Sequence, residues 1–369
     1  MRIAPAGWVT MMAVAAAACG GGTDAADAPA GDAPRAAAPA SADTLTLAER
    51  RAAGGRIVFL SERGGAAQVY AIAPSGEGER RLSRGAGAVF PAAVSPDGRT
   101  VTGVAVREEG ADHGEQLVAL PVGGGAARAF GPASARARSP SWSPDGRWLV
   151  FESDRQSFRD LYRINADGSG LKRLTENREG NFDPAVSPDG GWIAFASSRD
   201  GDAEVYVMRA DGSAQRRLTA FYRDDLRPTW SPDGRTIAFI SNRQGADRIF
   251  LVSPDGTGLR ALNAADSARK EAQEADAAWS PDGSRLAYAL HVRQGVSHVH
   301  VVDVKTGAAR EIAGVDGASQ PAWSPDGRYL AFTAGTAAEA DVWIARADGT
   351  APTRITRAKG PDWLPRWVR

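Results

Sequence analysis

Three of the chain's four histidines stand within ten residues of one another, at His291, His298 and His300. If Gln294-Gly295 centres a two-residue hairpin turn, His291 lies opposite His298, and His300 follows two residues along on the same strand face. Three imidazoles sharing a face could ligate zinc or another transition metal, so these residues form the candidate metal site. The only cofactor this implies is a divalent cation. A register slip of one residue would dissolve the site, because side chains alternate faces along a strand. Signatures of other chemistry are missing from the sequence: there is no Gly-x-Ser-x-Gly elbow, no phosphate loop and no His-Glu-x-x-His. The single cysteine, Cys19, excludes an intrachain disulfide framework and a cysteine-based zinc cluster. Lys plus Arg and Asp plus Glu are 44 each, which argues against nucleic acid as a partner.

The elements that must position these residues are set by an internal repeat. Ser-Pro-Asp-Gly begins at Ser95, Ser143, Ser187, Ser231, Ser280 and Ser324, at intervals of 48, 44, 44, 49 and 44 residues. Proline pre-sets the second turn position, aspartate bonds its own backbone and glycine accepts positive φ, so each copy reads as a tight turn. An apolar run follows each turn, as in Trp192-Ile193-Ala194-Phe195 and Thr236-Ile237-Ala238-Phe239. Two further short strands follow, the last after an Asp-Gly turn and reading Arg-Leu-Thr, as at Arg173-Leu174-Thr175 and Arg217-Leu218-Thr219. Four strands in about 44 residues is the size of one propeller blade.

The string Pro228-Thr229-Trp230-Ser231-Pro232-Asp233-Gly234-Arg235-Thr236-Ile237-Ala238-Phe239, continued by Ser241-Asn242-Arg243, resembles the WD-like repeat of TolB-type β-propellers. That resemblance implies an all-β propeller. The family's namesake has six blades behind an α/β domain, and neither feature fits this repeat count, so a Tol-system role does not follow from the fold. Similar propellers also precede serine peptidases and form metal-dependent pectate-type lyases, which keeps an enzyme among the alternatives.

Counting strands predicts seven four-stranded blades. The first blade takes its second to fourth strands from the N-terminal end, beginning near Ile57, and its innermost strand from Pro365-Arg366-Trp367-Val368. The ring is therefore expected to close by a C-terminal inner strand joining the N-terminal blade. Strand direction places the Ser-Pro-Asp-Gly and Asp-Gly turns on one face and the longer crossovers on the other, the expected functional face. Six residues before the motif serine, or its equivalent Val368, stand Asn181, Asp225, Glu274 and Asp362. They are the candidate channel-mouth binding residues, holding a cation or a basic peptide, with the crossover 264–276 as a rim. Trp142, Trp230, Trp279, Trp323 and Trp367 share one repeat position and are expected to pack between blades. Arg63, Arg155, Arg199 and Arg243 are expected to donate to neighbouring blades.

Residues 1–18 resemble a bacterial lipoprotein signal, with Ala16-Ala17-Ala18 leading to Cys19 as the lipidated residue. Residues 19–53, rich in Ala, Pro and Gly, are expected to form a disordered tether, and 54–369 the propeller. The resulting expectation is an exported protein, lipid-anchored at the periplasmic face of the outer membrane. It would act without catalysis, binding a protein or peptide partner in the envelope and the membrane through its lipid. The alternative is a metal-dependent enzyme or binder acting on extracellular carbohydrate.

Overall fold

The computed structural model describes residues 44–85, 87–107, 114–131, 136–263, 272–293, 296–312 and 314–369. Cys19, the signal, most of the tether, the rim segment 264–271 and the turn residues Gln294 and Gly295 lie outside the described residues. Seven four-stranded antiparallel sheets form the blades of a seven-bladed β-propeller. Blade 1 combines Arg56–Ser61, Gln68–Ile72 and Arg80–Arg81 with the inner strand Asp362–Val368, so the ring closes as the strand count predicts. Blade 5 shows the ordinary pattern, running from the inner strand Asp225–Trp230 through Ile237–Ser241 and Arg248–Val252 to the outer strand Arg260–Ala261.

Most second strands carry an apolar run because both of their faces are covered. In blade 4, Ile193 and Phe195 pack against blade 3 while Ala194 packs against blade 5. Burying both faces adds about 25 cal/mol for every Å² of apolar surface removed from water. The same sharing links blade 7 to blade 1, where Ile344 and Val342 meet Ile57 and Phe59. The tryptophans sit at these boundaries as expected. Of their indole N–H groups, those of Trp230 and Trp323 donate to carbonyls of the preceding blade, Ala185 at 3.0 Å and Ala278 at 2.9 Å, while that of Trp367 donates to the Gly54 carbonyl at 3.2 Å. Trp142 donates to Thr102 Oγ1 at 2.9 Å.

The recurring turn is held by its own side chains. Ser231 Oγ donates to Asp233 Oδ1 at 2.6 Å, Asp233 Oδ1 accepts the Arg235 N–H at 3.0 Å, and Ser231 Oγ accepts the Thr236 N–H at 2.9 Å. Gly234 takes φ 70°, which a side chain would strain.

The domain boundary expected at 53/54 falls earlier. Leu45 is buried in the core between blades 7 and 1, and Leu47–Ala52 forms a short helix, α1. The Thr46 and Glu49 side chains close a capping box at its start. Composition alone missed this ordered segment because its buried residues, Leu45 and Ala53, are few and lie outside the helix.

Candidate functional site

The four expected mouth residues do not line an opening. Asn181, Asp225 and Asp362 are 0% exposed and Glu274 is 1% exposed. Each opens or nearly opens an inner strand and turns into the protein, where the recurring arginines hold three of them. Arg243 pairs with Asp225 at 2.6 Å and Arg63 with Asp362 at 3.1 Å, while Arg199 donates to Asn181 Oδ1 at 3.1 Å. These arginines also bond the serine two residues before them, as Arg243 Nε does to Ser241 Oγ at 2.9 Å. They lie over aromatic rings of the same sheet, Arg199 4.5 Å from the Tyr206 centroid and Arg243 4.7 Å from that of Phe250. The pairs are thus internal to each blade, contrary to the expected donation to neighbouring blades. Arg155 keeps the serine and ring contacts, at Ser153 and Tyr162, but blade 3 has Ala137 where an acidic partner would stand.

A second buried network, missed in the sequence, starts the third strand of three blades. Asp160, Glu204 and Asp341 pair with Arg173 at 2.5 Å, Arg217 at 2.6 Å and Arg354. Thr175, Thr219 and Thr356 donate to the same carboxylates and accept the N–H of Leu161, Val205 and Val342. The signal was legible: an acidic residue followed by Arg after 13 residues and Thr after 15 in three repeats. The two networks touch at Asn181, whose Nδ2 donates to Asp160 Oδ1 at 2.8 Å across the blade 3–4 boundary. Blade 5 lacks the threonine, and Glu274 reaches back from blade 6 to accept the Ile249 N–H at 2.7 Å and Asn263 Nδ2 at 3.2 Å. Asn181 and Glu274 thus join blades, whereas the recurring carboxylate, arginine and threonine sets hold the third and fourth strands of one blade together.

What lies nearest the channel instead is a set of positions two residues further along six of the seven inner strands. Ser139, Asp183, Arg227, Asp276, Gln320 and Leu364 all adopt positive φ, between 47° and 56°, at a bulge in the inner strand. None is glycine, so each position carries backbone strain of order 1–2 kcal/mol. The strain is offset in part by hydrogen bonds from blade to blade. Asp276 Oδ2 accepts the Gln320 N–H at 3.3 Å, and Gln320 Oε1 accepts the Leu364 N–H at 2.9 Å. Asp183 likewise accepts the Arg227 N–H.

The electrostatics of this ring are mixed rather than acidic. Burial raises the Asp183 carboxyl, opposed by Arg227, and burial lowers Arg366, opposed by Asp276. Glu152, buried beside Asp183, is raised to about 7, first by desolvation and then by the Asp183 charge. Its Oε1 accepts from Ser139 Oγ at 2.6 Å, and Arg159 Nη1 stands 3.8 Å from Oε2. On the crossover between blades 4 and 5, Tyr222 is 68% exposed, its ring 4.5 Å from that of Phe221 and under Arg223. This aromatic and arginine pair is the most exposed large apolar feature of the described surface.

The histidines are not brought together. His298 pairs with Leu290 and His300 with Tyr288, whereas His291 pairs with Ser297, so His291 lies on the opposite sheet face. The expected turn register is off by one residue, with a shift between His291 and Arg293. His300 is buried and stacks on Tyr288 with centroids 5.5 Å apart, and His298 Nδ1 lies 3.0 Å from Glu311 Oε1. Among the described residues no group of three His, Cys, Asp or Glu side chains could hold a metal ion.

A family model described as the TolB beta propeller domain matches residues 46–178 and 268–369, and one for the Tricorn protease N-terminal beta propeller domain matches 159–269. The chain belongs to the TolB beta propeller family. Among curated proteins it is 30% identical over 90 residues to the uncharacterized protein Atu1656 of Agrobacterium fabrum, 24% of this chain and 29% of that protein. It is 50% identical over 36 residues to the Tol-Pal system protein TolB of Syntrophus aciditrophicus, 10% of this chain and 8% of that one. The chain thus spans less than a third of either curated relative.

Solved structures share the fold. TolB from Acinetobacter baumannii aligns with a TM-score of 0.55 at 18% identity, covering 91% of this chain and 89% of that one. A puromycin hydrolase aligns at 0.65 and 18% identity, covering 84% and 53%. An oligogalacturonate lyase in complex with manganese aligns at 0.61 and 16% identity, covering 83% and 88%.

Proposed function

We propose that this propeller is a non-enzymatic module that binds a protein or peptide at the crossover-face mouth of its channel. The observation that carries this reading is the ring of strained non-glycine residues from Ser139 to Leu364, repeated in six blades and furnished with both charge signs. Backbone strain held at one position around a channel is the kind of pre-organisation found at binding sites. Asp183 and Asp276 offer acceptors, Arg227 a donor, and Tyr222 with Phe221 an apolar contact on the same face. Peptides present all three kinds of group. Membership of a family whose name derives from TolB supports a partner in the cell envelope, and Cys19 would be the lipid attachment point that holds the protein there, at the periplasmic face of the outer membrane.

The carbohydrate-enzyme alternative loses its histidine ligands to the register of blade 6. Similarity to a manganese-bound lyase at 16% identity carries only the fold.

In-cell crosslinking tests the binding reading by comparing the natural chain with Arg227→Ala plus Tyr222→Ala, after both are shown to melt alike. One identified partner captured by the natural chain and lost in the double variant supports it. Equal capture by both removes the mouth from binding. Metabolic labelling with palmitate tests the anchor separately: label lost in Cys19→Ala supports it, and an unlabelled natural chain overturns it.

A further inference from the structure

Six of the seven blade boundaries on the turn face are bridged by one recurring cation. It stands two residues before an apolar residue at the end of the outer strand and donates to a carbonyl in the Asp-Gly-type turn of the next blade. Lys172 donates to the Asp211 carbonyl at 2.8 Å, Arg216 to that of Asp255 at 3.0 Å, Arg260 to that of Val304 at 2.8 Å and Arg310 to that of Asp348 at 2.9 Å. Arg80 and Arg128 do the same toward Gly123 and Ala166.

At the seventh boundary, from blade 7 to blade 1, the position is Thr353, paired with Ile344 as Arg310 is with Val301. A threonine cannot cross the gap. The cation there is Arg50 of α1, whose Nη1 donates at 2.6 Å to the carbonyl of Ser75, the residue equivalent to Asp211, Asp255 and Asp348. The turn glycines show that the guanidinium occupies the same place. A Cβ built on Gly76 would meet Arg50 Nη1 and the Ile355 carbonyl oxygen, each at 3.7 Å, and one on Gly256 would meet the Leu218 carbonyl oxygen at 3.7 Å and Arg216 Nη1 at 3.9 Å.

The rest of the segment spans the closure. The Leu45 N–H donates to Thr353 Oγ1 at 2.8 Å, and Glu49 pairs with Arg346 of blade 7 at 2.7 Å. Arg51 pairs with Glu77 of blade 1 at 2.7 Å. Blade 7 and the inner strand 362–368 come from the C-terminal side of the seam where the chain ends meet, and the rest of blade 1 comes from the N-terminal side.

We propose that residues 44–53 are a latch that locks the propeller ring, with Arg50 replacing the cation that Thr353 does not supply. Contacts from Leu45 and Glu49 grip the C-terminal side of the seam while Arg50 and Arg51 grip the N-terminal side. A pull on the chain upstream of Leu45 is therefore delivered to the seam that closes the ring.

Hydrogen exchange on the full chain tests this. Arg50→Ala should speed exchange of the amides in 362–368 and in the Ala73–Gly78 turn about tenfold, the factor expected for losing one charge-assisted hydrogen bond. Arg50→Lys should stay close to the natural chain. Arg216→Ala should speed exchange at the boundary of blades 4 and 5 and leave 362–368 unchanged. Adding Thr353→Arg to the Arg50→Ala chain should restore protection, because blade 7 then carries the bridge found at the other six boundaries. Unchanged exchange at 362–368 in Arg50→Ala overturns the latch. Failure of Thr353→Arg to restore protection in a chain of natural circular dichroism overturns the equivalence of Arg50 with the outer-strand cations.

Discussion

Arg63 and Asp362 are 299 positions apart in the chain and meet within blade 1, Nη2 to Oδ2 at 3.1 Å, with the carboxylate wholly buried. The pair joins the strands contributed by the two ends of the propeller, and Glu79 holds the same guanidinium from the outer side. Closure thus rests on a buried charge pair as well as on the backbone ladder between 56–61 and 362–368.

Asp362→Ala should destabilise the protein by about 3 kcal/mol, because it leaves Arg63 partly buried with one partner fewer. Deleting 361–369 removes the inner strand altogether and should abolish the single cooperative melt. Calorimetry on both variants checks this, and an unchanged transition in the deletion would contradict closure through that strand.

Asp225→Ala and Arg227→Ala, two residues apart, should behave differently. Asp225 is buried against Arg243, so its loss should cost stability of order 3 kcal/mol. Arg227 is exposed at the channel ring and offsets the burial of the Asp183 carboxylate, so its loss should cost clearly less stability than that of Asp225 while reducing partner capture. Paired thermal melts and crosslinking of the two variants separate the roles.

Glu152 should make stability fall as pH rises. Its folded carboxyl is raised to about 7 from 4.5, so between those values the folded state holds a proton that the unfolded state has lost. Its contribution is complete below about pH 4.5 and is lost through pH 7. Glu152→Gln, which stays neutral, should raise the melting temperature at pH 8 by roughly 2–4 °C and by less at pH 5. Melts at the two pH values decide it.

Glu49 has the opposite sign. Its hydrogen bond from Arg346, with those from Thr46, lowers its carboxyl from 4.5 to about 2. The stabilisation it adds is present above about pH 4.5 and lost as pH falls toward 2. Glu49→Gln should therefore weaken protection of 362–368 at pH 6 and make no difference near pH 2, as hydrogen exchange at both pH values would show.

Divalent zinc or nickel should leave the melting temperature unchanged in both the natural chain and His298→Ala, because His291 faces away from His298 and His300. A stoichiometric rise in the natural chain alone would restore a metal role for that hairpin.

Several features of this protein were decided by its sequence alone. The spacing of Ser-Pro-Asp-Gly set the blade count, the unmatched ends set the closure, and the repeated tryptophans set the packing between blades, because each depends only on periodicity and on local turn chemistry. Burial and face were decided by tertiary structure. Whether Asp225 points into the protein or into the channel depends on a bulge that moves Arg227 into positive φ two residues later, and no residue type announces that bulge. The three histidines were separated by a single slip at residues 291–293, since a strand's side chains reverse face with every residue. Residues 44–53 show the same limit, because too little apolar bulk is present to mark them as folded. They become ordered where a neighbouring blade, 300 residues away in the chain, leaves at Thr353 a gap that Arg50 can fill.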